Sequence, residues 1–138
     1  ALGCTDQKVL ILDGDGSLLM NLGSLITIGS CAPQNLWHFV LHNGIYEVNG
    51  EFPIPGGLET DFSSIATAAG FPRSYDFDNI GVLRKALPEV LAGSGPVFVC
   101  LKVTCGEHYP RHYETIHDAA QRAQFKSALM ARLSPSPS

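Results

Sequence analysis

Apolar residues come in short blocks separated by glycine, proline and asparagine, and the spacing inside the blocks switches between strand-like and helix-like. Residues 9–12 form a compact Val-Leu-Ile-Leu run that stops at Asp13-Gly14-Asp15-Gly16, which predicts a buried strand running into a turn. From Ser17 the pattern changes. Leu18, Leu19, Leu22, Leu25, Ile26 and Ile28 recur at helical spacing, with Gly29 near the end, so 17–29 is predicted as one helix with Ser17 as its N-cap. After Pro33 and Gln34, residues 36–41 read as a second buried strand. Residues 43–61 then collect Gly44, Asn49-Gly50, Pro53, Pro55 and Gly56-Gly57, which predicts a long loop beside whatever the strand ends hold.

A short helix is expected over 61–70, capped by Asp61 or Thr60, and a brief strand at 75–77. Asn79 caps a helix over 80–92 that Pro88 interrupts, and a Gly-Ser-Gly turn at 93–95 leads into the last buried strand, 96–103. There Val97, Val99, Leu101 and Val103 alternate with Phe98 and Cys100. Residues 115–133 carry an amphipathic pattern, and 134–138 read as a disordered Ser-Pro tail. Strands alternating with helices place the chain in the α/β class, as a three-layer α/β/α domain over 1–133 with a mostly parallel sheet. Residues 1–4 read as the end of a helix stopped by Gly3, so the domain is expected to be N-terminally incomplete.

Composition narrows the function classes. A chain of 138 residues with 45% hydrophobic and 16% charged residues buries one core. A net charge of −4 leaves no electrostatic case for nucleic acid. No apolar run approaches a membrane span, and no basic signal segment is present. Cys4, Cys31, Cys100 and Cys105 lack CxxC spacing and read as reduced thiols of a cytoplasmic protein.

The candidate chemistry sits at the end of the first strand. A strand, a glycine-rich turn and a helix offer backbone N–H groups to a phosphate. The carboxylates in this turn would repel that phosphate, unless a divalent cation lies between them. The second strand ends at His42-Asn43-Gly44-Ile45, and neighbouring parallel strands bring their C-terminal ends to one edge of the sheet. Asp15 and Asn43 are therefore expected side by side, with a nearby backbone carbonyl completing an all-oxygen site for Mg²⁺ or Ca²⁺.

Gly14-Asp15-Gly16-Ser17, followed by an apolar strand and Asn43-Gly44, resembles the thiamine-diphosphate-binding motif. The stretch from Leu12 to Leu25 is most similar to the phosphonopyruvate and sulfopyruvate decarboxylases, and the resemblance extends to about Leu133 through the diphosphate-binding (PP) domain. It implies the thiamine-diphosphate-binding fold, with thiamine diphosphate and Mg²⁺ as cofactors. Asp15 and Asn43 would be side-chain metal ligands and Ile45 would give a backbone carbonyl, while Gly14, Gly16 and Ser17 would meet the diphosphate. It also implies decarboxylation of a 2-oxo acid, in an active site shared with a pyrimidine-binding (PYR) domain or subunit of a homo- or hetero-oligomer. The alternatives are an acetolactate-synthase-like carboligase, or a solitary truncated domain with a binding or assembly role. Some relatives place a catalytic acid six positions after the metal-binding Asn; here that position is Asn49, flanked by Glu47 and Glu51.

Other residues have blander readings. Asp13 reads as a turn or cap residue, His42 as a cofactor contact or a satisfied structural histidine, and Trp37 and Phe39 as core. Cys105, His108, His112 and His117 fit no standard zinc spacing, and Arg111 reads as a solvated connector.

Overall fold

Strands that are apolar at every position are stable only with both faces covered, and two strands here meet that condition. β2 (Leu36–His42) and β6 (Val97–Lys102) lie in the middle of a four-stranded parallel sheet, flanked by β1 (Val9–Gly14) and β5 (Arg73–Phe77), in the order β1-β2-β6-β5. Trp37, Phe39, Val97 and Val99 face one side, against Val90 of α4 (Ile80–Val90). Val40, Phe98 and Cys100 face the other. There they meet Leu18 of α1 (Asp15–Met20), Leu25 of α2 (Ser24–Cys31), and Phe62 and Ala66 of α3 (Phe62–Ala68). This is the predicted α/β/α sandwich, and the alternation read in the last strand sorts its residues correctly between the two layers.

The computed structural model describes residues 1–3, 6–106 and 118–133, which fall into two units, 1–105 and 106–138. The sandwich belongs to the first. The second contains α5 (Ala119–Leu133), whose second amide, Ala120 N–H, donates to Asp118 Oδ1 at 2.8 Å. Phe125 and Met130 of α5 are exposed. The 134–138 tail, the start expected at 115, Cys4, His108, Arg111, His112 and His117 lie outside the described residues. Among those described, no helix is long and apolar enough to cross a membrane.

Four elements depart from the sequence reading. The single helix over 17–29 is two, broken at Asn21-Leu22-Gly23, and Ile26 is exposed. Asn and Gly are poor helix formers, and Leu18 and Leu25, on either side of the break, both lie in the core. The first helix starts at Asp15 with Gly14 as N-cap, so Ser17 is not the cap. The second runs past Gly29 to Cys31 and ends on Ala32 in a left-handed conformation. Gly29 serves packing: a Cβ there would overlap the Ala69 carbonyl oxygen at the end of α3.

Pro88 does not interrupt α4, which continues to Val90. Proline removes one backbone donor, but this helix end is held from outside. The Arg73 guanidinium donates to the carbonyls of Glu89 (2.9 Å), Val90 (2.8 Å) and Ala92 (2.7 Å). Trp37 Nε1–H donates to Val90 O at 2.8 Å and Lys8 Nζ to Leu91 O at 2.9 Å. The first strand is an edge strand rather than a buried one. Leu10 and Leu12 pair in register with Trp37 and Phe39 yet are 53% and 77% exposed.

Residues 43–61 form a folded hairpin rather than an open loop. β3 (Ile45–Tyr46) pairs antiparallel with β4 (Phe52–Pro53), Ile54 N–H donates to Gly44 O at 3.0 Å, and the Ile54 side chain is in the core. The hairpin stands over the C-terminal ends of β1 and β2. The two capping predictions further along hold: Asp61 accepts from Ser64 N–H, and Asn79 from Gly81 and Val82 N–H.

Candidate functional site

The parallel pairing of β1 and β2 sets Gly14 beside Leu41, so the turn after one strand abuts the turn after the other. Asp15, at the first position of α1, is buried to 2% exposure. Its Oδ1 accepts Gly16 N–H at 2.7 Å and its Oδ2 accepts Gly44 N–H at 2.7 Å. The carboxylate thus joins the two halves of the motif, 29 residues apart. Charge-assisted bonds to backbone N–H are among the stronger ones available.

Asn43 begins a tight turn in which its Oδ1 accepts Ile45 N–H at 3.1 Å. Its Nδ2 donates to Glu47 Oε2 at 2.8 Å. Those two bonds define which end of the amide is oxygen. Glu47 has no signal in the strand–turn–helix pattern; it meets Asn43 from four residues further along the chain, just past Tyr46.

Gly14, Asp15, Gly16, Ser17, Asn43 and Ile45, the residues singled out from the sequence, all line one cleft of about 160 Å³. Tyr46, Glu47 and Asn49 from the hairpin line it as well. Gly16 is a close-approach position. A Cβ there would lie 2.5 Å from Tyr46 Cδ1, so only glycine lets the ring and the turn meet at this distance.

Asp13 faces away from the cleft. Its Oδ1 accepts Gly14 N–H at 2.9 Å and its Oδ2 lies 3.4 Å from Nε2 of His38. Burial holds the His38 imidazole below its usual range, against the opposing pull of Asp13. His42 is fully buried behind Asp15 and not on the cleft; its Nε2 is 3.1 Å from the Gly57 carbonyl, the satisfied structural alternative. Trp37 and Phe39 are core, as read. Of the four candidate zinc ligands only Cys105 lies within the described residues, where it is an exposed free thiol.

The arrangement offers oxygen donors and backbone N–H groups around a small opening, with acidic side chains at Asp15 and Glu47 and a glycine that admits close approach. That donor set suits a hard divalent cation bridging to phosphate oxygens.

Comparison with known proteins agrees with this geometry. Residues 1–101 match the family model described as thiamine pyrophosphate enzyme, C-terminal TPP binding domain. The chain is 38% identical over 103 residues to a phosphonopyruvate decarboxylase of Streptomyces viridochromogenes, covering 74% of this chain and 25% of that protein. It is 44% identical over 70 residues to the sulfopyruvate decarboxylase subunit beta of Methanocaldococcus jannaschii, covering 51% of this chain and 37% of that subunit. It is 34% identical over 101 residues to the corresponding subunit of Methanothermobacter thermautotrophicus, covering 73% of this chain and 51% of that subunit. The chain therefore spans between a quarter and about half the length of these relatives. With its parallel sheet, its paired turns and a match over residues 1–101, the chain belongs to the thiamine pyrophosphate enzyme family, as the C-terminal TPP-binding domain.

Proposed function

We propose that this chain is the Mg²⁺–thiamine diphosphate-binding portion of a 2-oxo acid decarboxylase of the phosphonopyruvate/sulfopyruvate type, completed by a PYR domain or subunit. The observation that carries this reading is the Asp15–Gly44 bond, which brings the two motif halves onto one cleft.

The donors fit a magnesium ion. Each Asp15 oxygen accepts one backbone N–H and keeps lone-pair capacity for a metal. Asn43 Oδ1 accepts one N–H and keeps the same capacity, and Ile45 brings its main-chain carbonyl to the same cleft. Gly14, Gly16 and Ser17 supply backbone and hydroxyl groups for the diphosphate. When bound, the cofactor would supply the sink for the electron pair left on the substrate carbon as CO₂ departs. This chain's own residues place it. Asp15 and Asn43 would hold the cation that meets the charged tail, Glu47 fixes the Asn43 amide, and the Tyr46 ring packs against the turn.

The name subunit beta carried by two relatives supports a partner chain for this one, in a homo- or hetero-oligomer. Cys31, Cys100 and Cys105 are free thiols, which supports a reducing, cytoplasmic setting.

Calorimetric titration of thiamine diphosphate in the presence of Mg²⁺ tests the binding site. Saturable heat that is lost in Asp15→Asn, with unchanged circular dichroism, supports it; equal binding by the variant rules out this site. Reconstitution with a PYR-type partner tests the reaction. Aldehyde and CO₂ from a 2-oxo acid with an anionic tail support decarboxylation, and an acetohydroxy acid product would replace it with carboligation.

A further inference from the structure

His42 lies behind the proposed cation site, fully buried, on the face of β2 turned toward α3. Its ring stands edge-on to Phe62, with centroids 5.0 Å apart at 85°. Nε2 is 3.1 Å from the carbonyl oxygen of Gly57, in the last part of the hairpin segment, and 3.8 Å from Asp15 Oδ2. Both neighbours are acceptors only, so Nε2 must carry a proton to satisfy either. Nδ1 is 3.8 Å from Cys100 Sγ. Burial, and then Asp76 beside it, push the Cys100 thiol up to about 12, so the sulfur keeps its proton and can donate to Nδ1 or to Asp76. Every polar neighbour of the ring is thus compatible with a single tautomer, Nε2–H.

The geometry points to His42 as a positioning residue: its Nε2–H ties the hairpin, through Gly57, to the sheet at the point where Asp15 is held. The tie rests on the assignment of Asp15 to the cofactor site for its functional consequence, but its structural part stands apart from that assignment. One imidazole contacts the far end of the segment whose first part, Ile45 to Asn49, lines the cleft, and it lies 3.8 Å from the Asp15 carboxylate. Displacing that ring loosens both together. Groups that orient a metal-binding side chain without touching the ion commonly change affinity 10–100-fold when removed.

Two measurements on the intact chain decide the matter. Nitrogen-15 NMR of the ligand-free protein reads the tautomer; an Nε2–H signal for His42 agrees with the tie, and an Nδ1–H signal overturns it. Hydrogen exchange then compares wild type with His42→Phe, which keeps the edge-on contact to Phe62 but removes the donor. The amides of Ile54, Gly57 and Glu59 should exchange about tenfold faster, the effect of losing one hydrogen bond, while Val40 and Val99 in the sheet stay protected. His42→Gln, which retains an N–H donor, restores part of the protection and serves where the Phe variant does not fold. In the same samples, thiamine diphosphate with Mg²⁺ should bind about 10–100-fold more weakly to His42→Phe and recover in part in His42→Gln. Unchanged exchange and unchanged binding refute the role of His42 while leaving the proposed function intact. Absent binding by wild type, with the exchange changes present, refutes the proposed function and leaves the hairpin tie standing.

Discussion

Asp15 Oδ2 accepts the Gly44 N–H at 2.7 Å, and this contact binds the turn after β1 to the turn after β2. The same carboxylate proposed to hold a cation therefore also holds the fold. Removing it leaves the Gly44 N–H buried without a partner. Asp15→Ala is expected to destabilise the chain by about 1–3 kcal/mol, the cost of an orphaned buried donor. Asp15→Asn keeps an amide oxygen in place and should cost less. Chemical denaturation of both variants checks the order, and an Ala variant as stable as wild type would show that the contact contributes nothing.

Gly16→Ala places a methyl group 2.5 Å from the Tyr46 ring. Overpacking of this kind costs about 1–3 kcal/mol. Relieving it from the other side, in Gly16→Ala combined with Tyr46→Ala, should recover folding stability without recovering affinity for thiamine diphosphate. Thermal unfolding and calorimetry on the single and double variants separate the two effects.

Glu47 holds the Asn43 amide through a 2.8 Å bond to Nδ2. Glu47→Gln preserves an acceptor oxygen, whereas Glu47→Ala removes it. Cofactor affinity in Mg²⁺ is expected to fall about tenfold in the Ala variant and less in the Gln variant. Equal affinity in all three proteins would show that Ile45 N–H alone orients the amide.

Arg73→Ala strips three carbonyls at the end of α4 of the guanidinium that bonds them. A loss of about 2 kcal/mol is expected, since bonds to charged groups are worth more than neutral ones and these act as one unit. Arg73→Lys should recover only part, because an ammonium lacks the planar fork. Denaturant midpoints of the two variants give the comparison.

His38 links stability to pH. Burial favours its neutral form, so the folded state binds its proton less readily than the unfolded state. Stability is therefore full above the ordinary imidazole value of 6.5, falls as pH drops below it, and levels off beneath the folded-state value. Asp61, held low chiefly by the Ser64 hydroxyl, acts in a separate and more acidic window: its contribution is present above 3.8 and lost below. Melting temperatures of wild type and His38→Leu between pH 8 and pH 5 test this, with the variant expected to show the flatter profile.

Local chemistry already written along the chain accounts for much of this protein. The alternation in residues 97–101, the glycine-rich turn after an apolar strand and the caps at Asp61 and Asn79 follow from side-chain shape, period and backbone donors within a few residues, while the pairing of Asp15 with Gly44, 29 residues away, follows from two parallel strand ends meeting at one sheet edge. Tertiary structure decided the rest, because the energies involved come from neighbours distant in sequence. The position of β1 at the sheet edge exposed Leu10 and Leu12 despite their hydrophobicity. Carbonyl bonds from Arg73, Trp37 and Lys8 carried α4 past Pro88. The return of the hairpin segment brought Gly57 onto His42, 15 residues away, a contact that no local period encodes since it exists only once the segment has folded back.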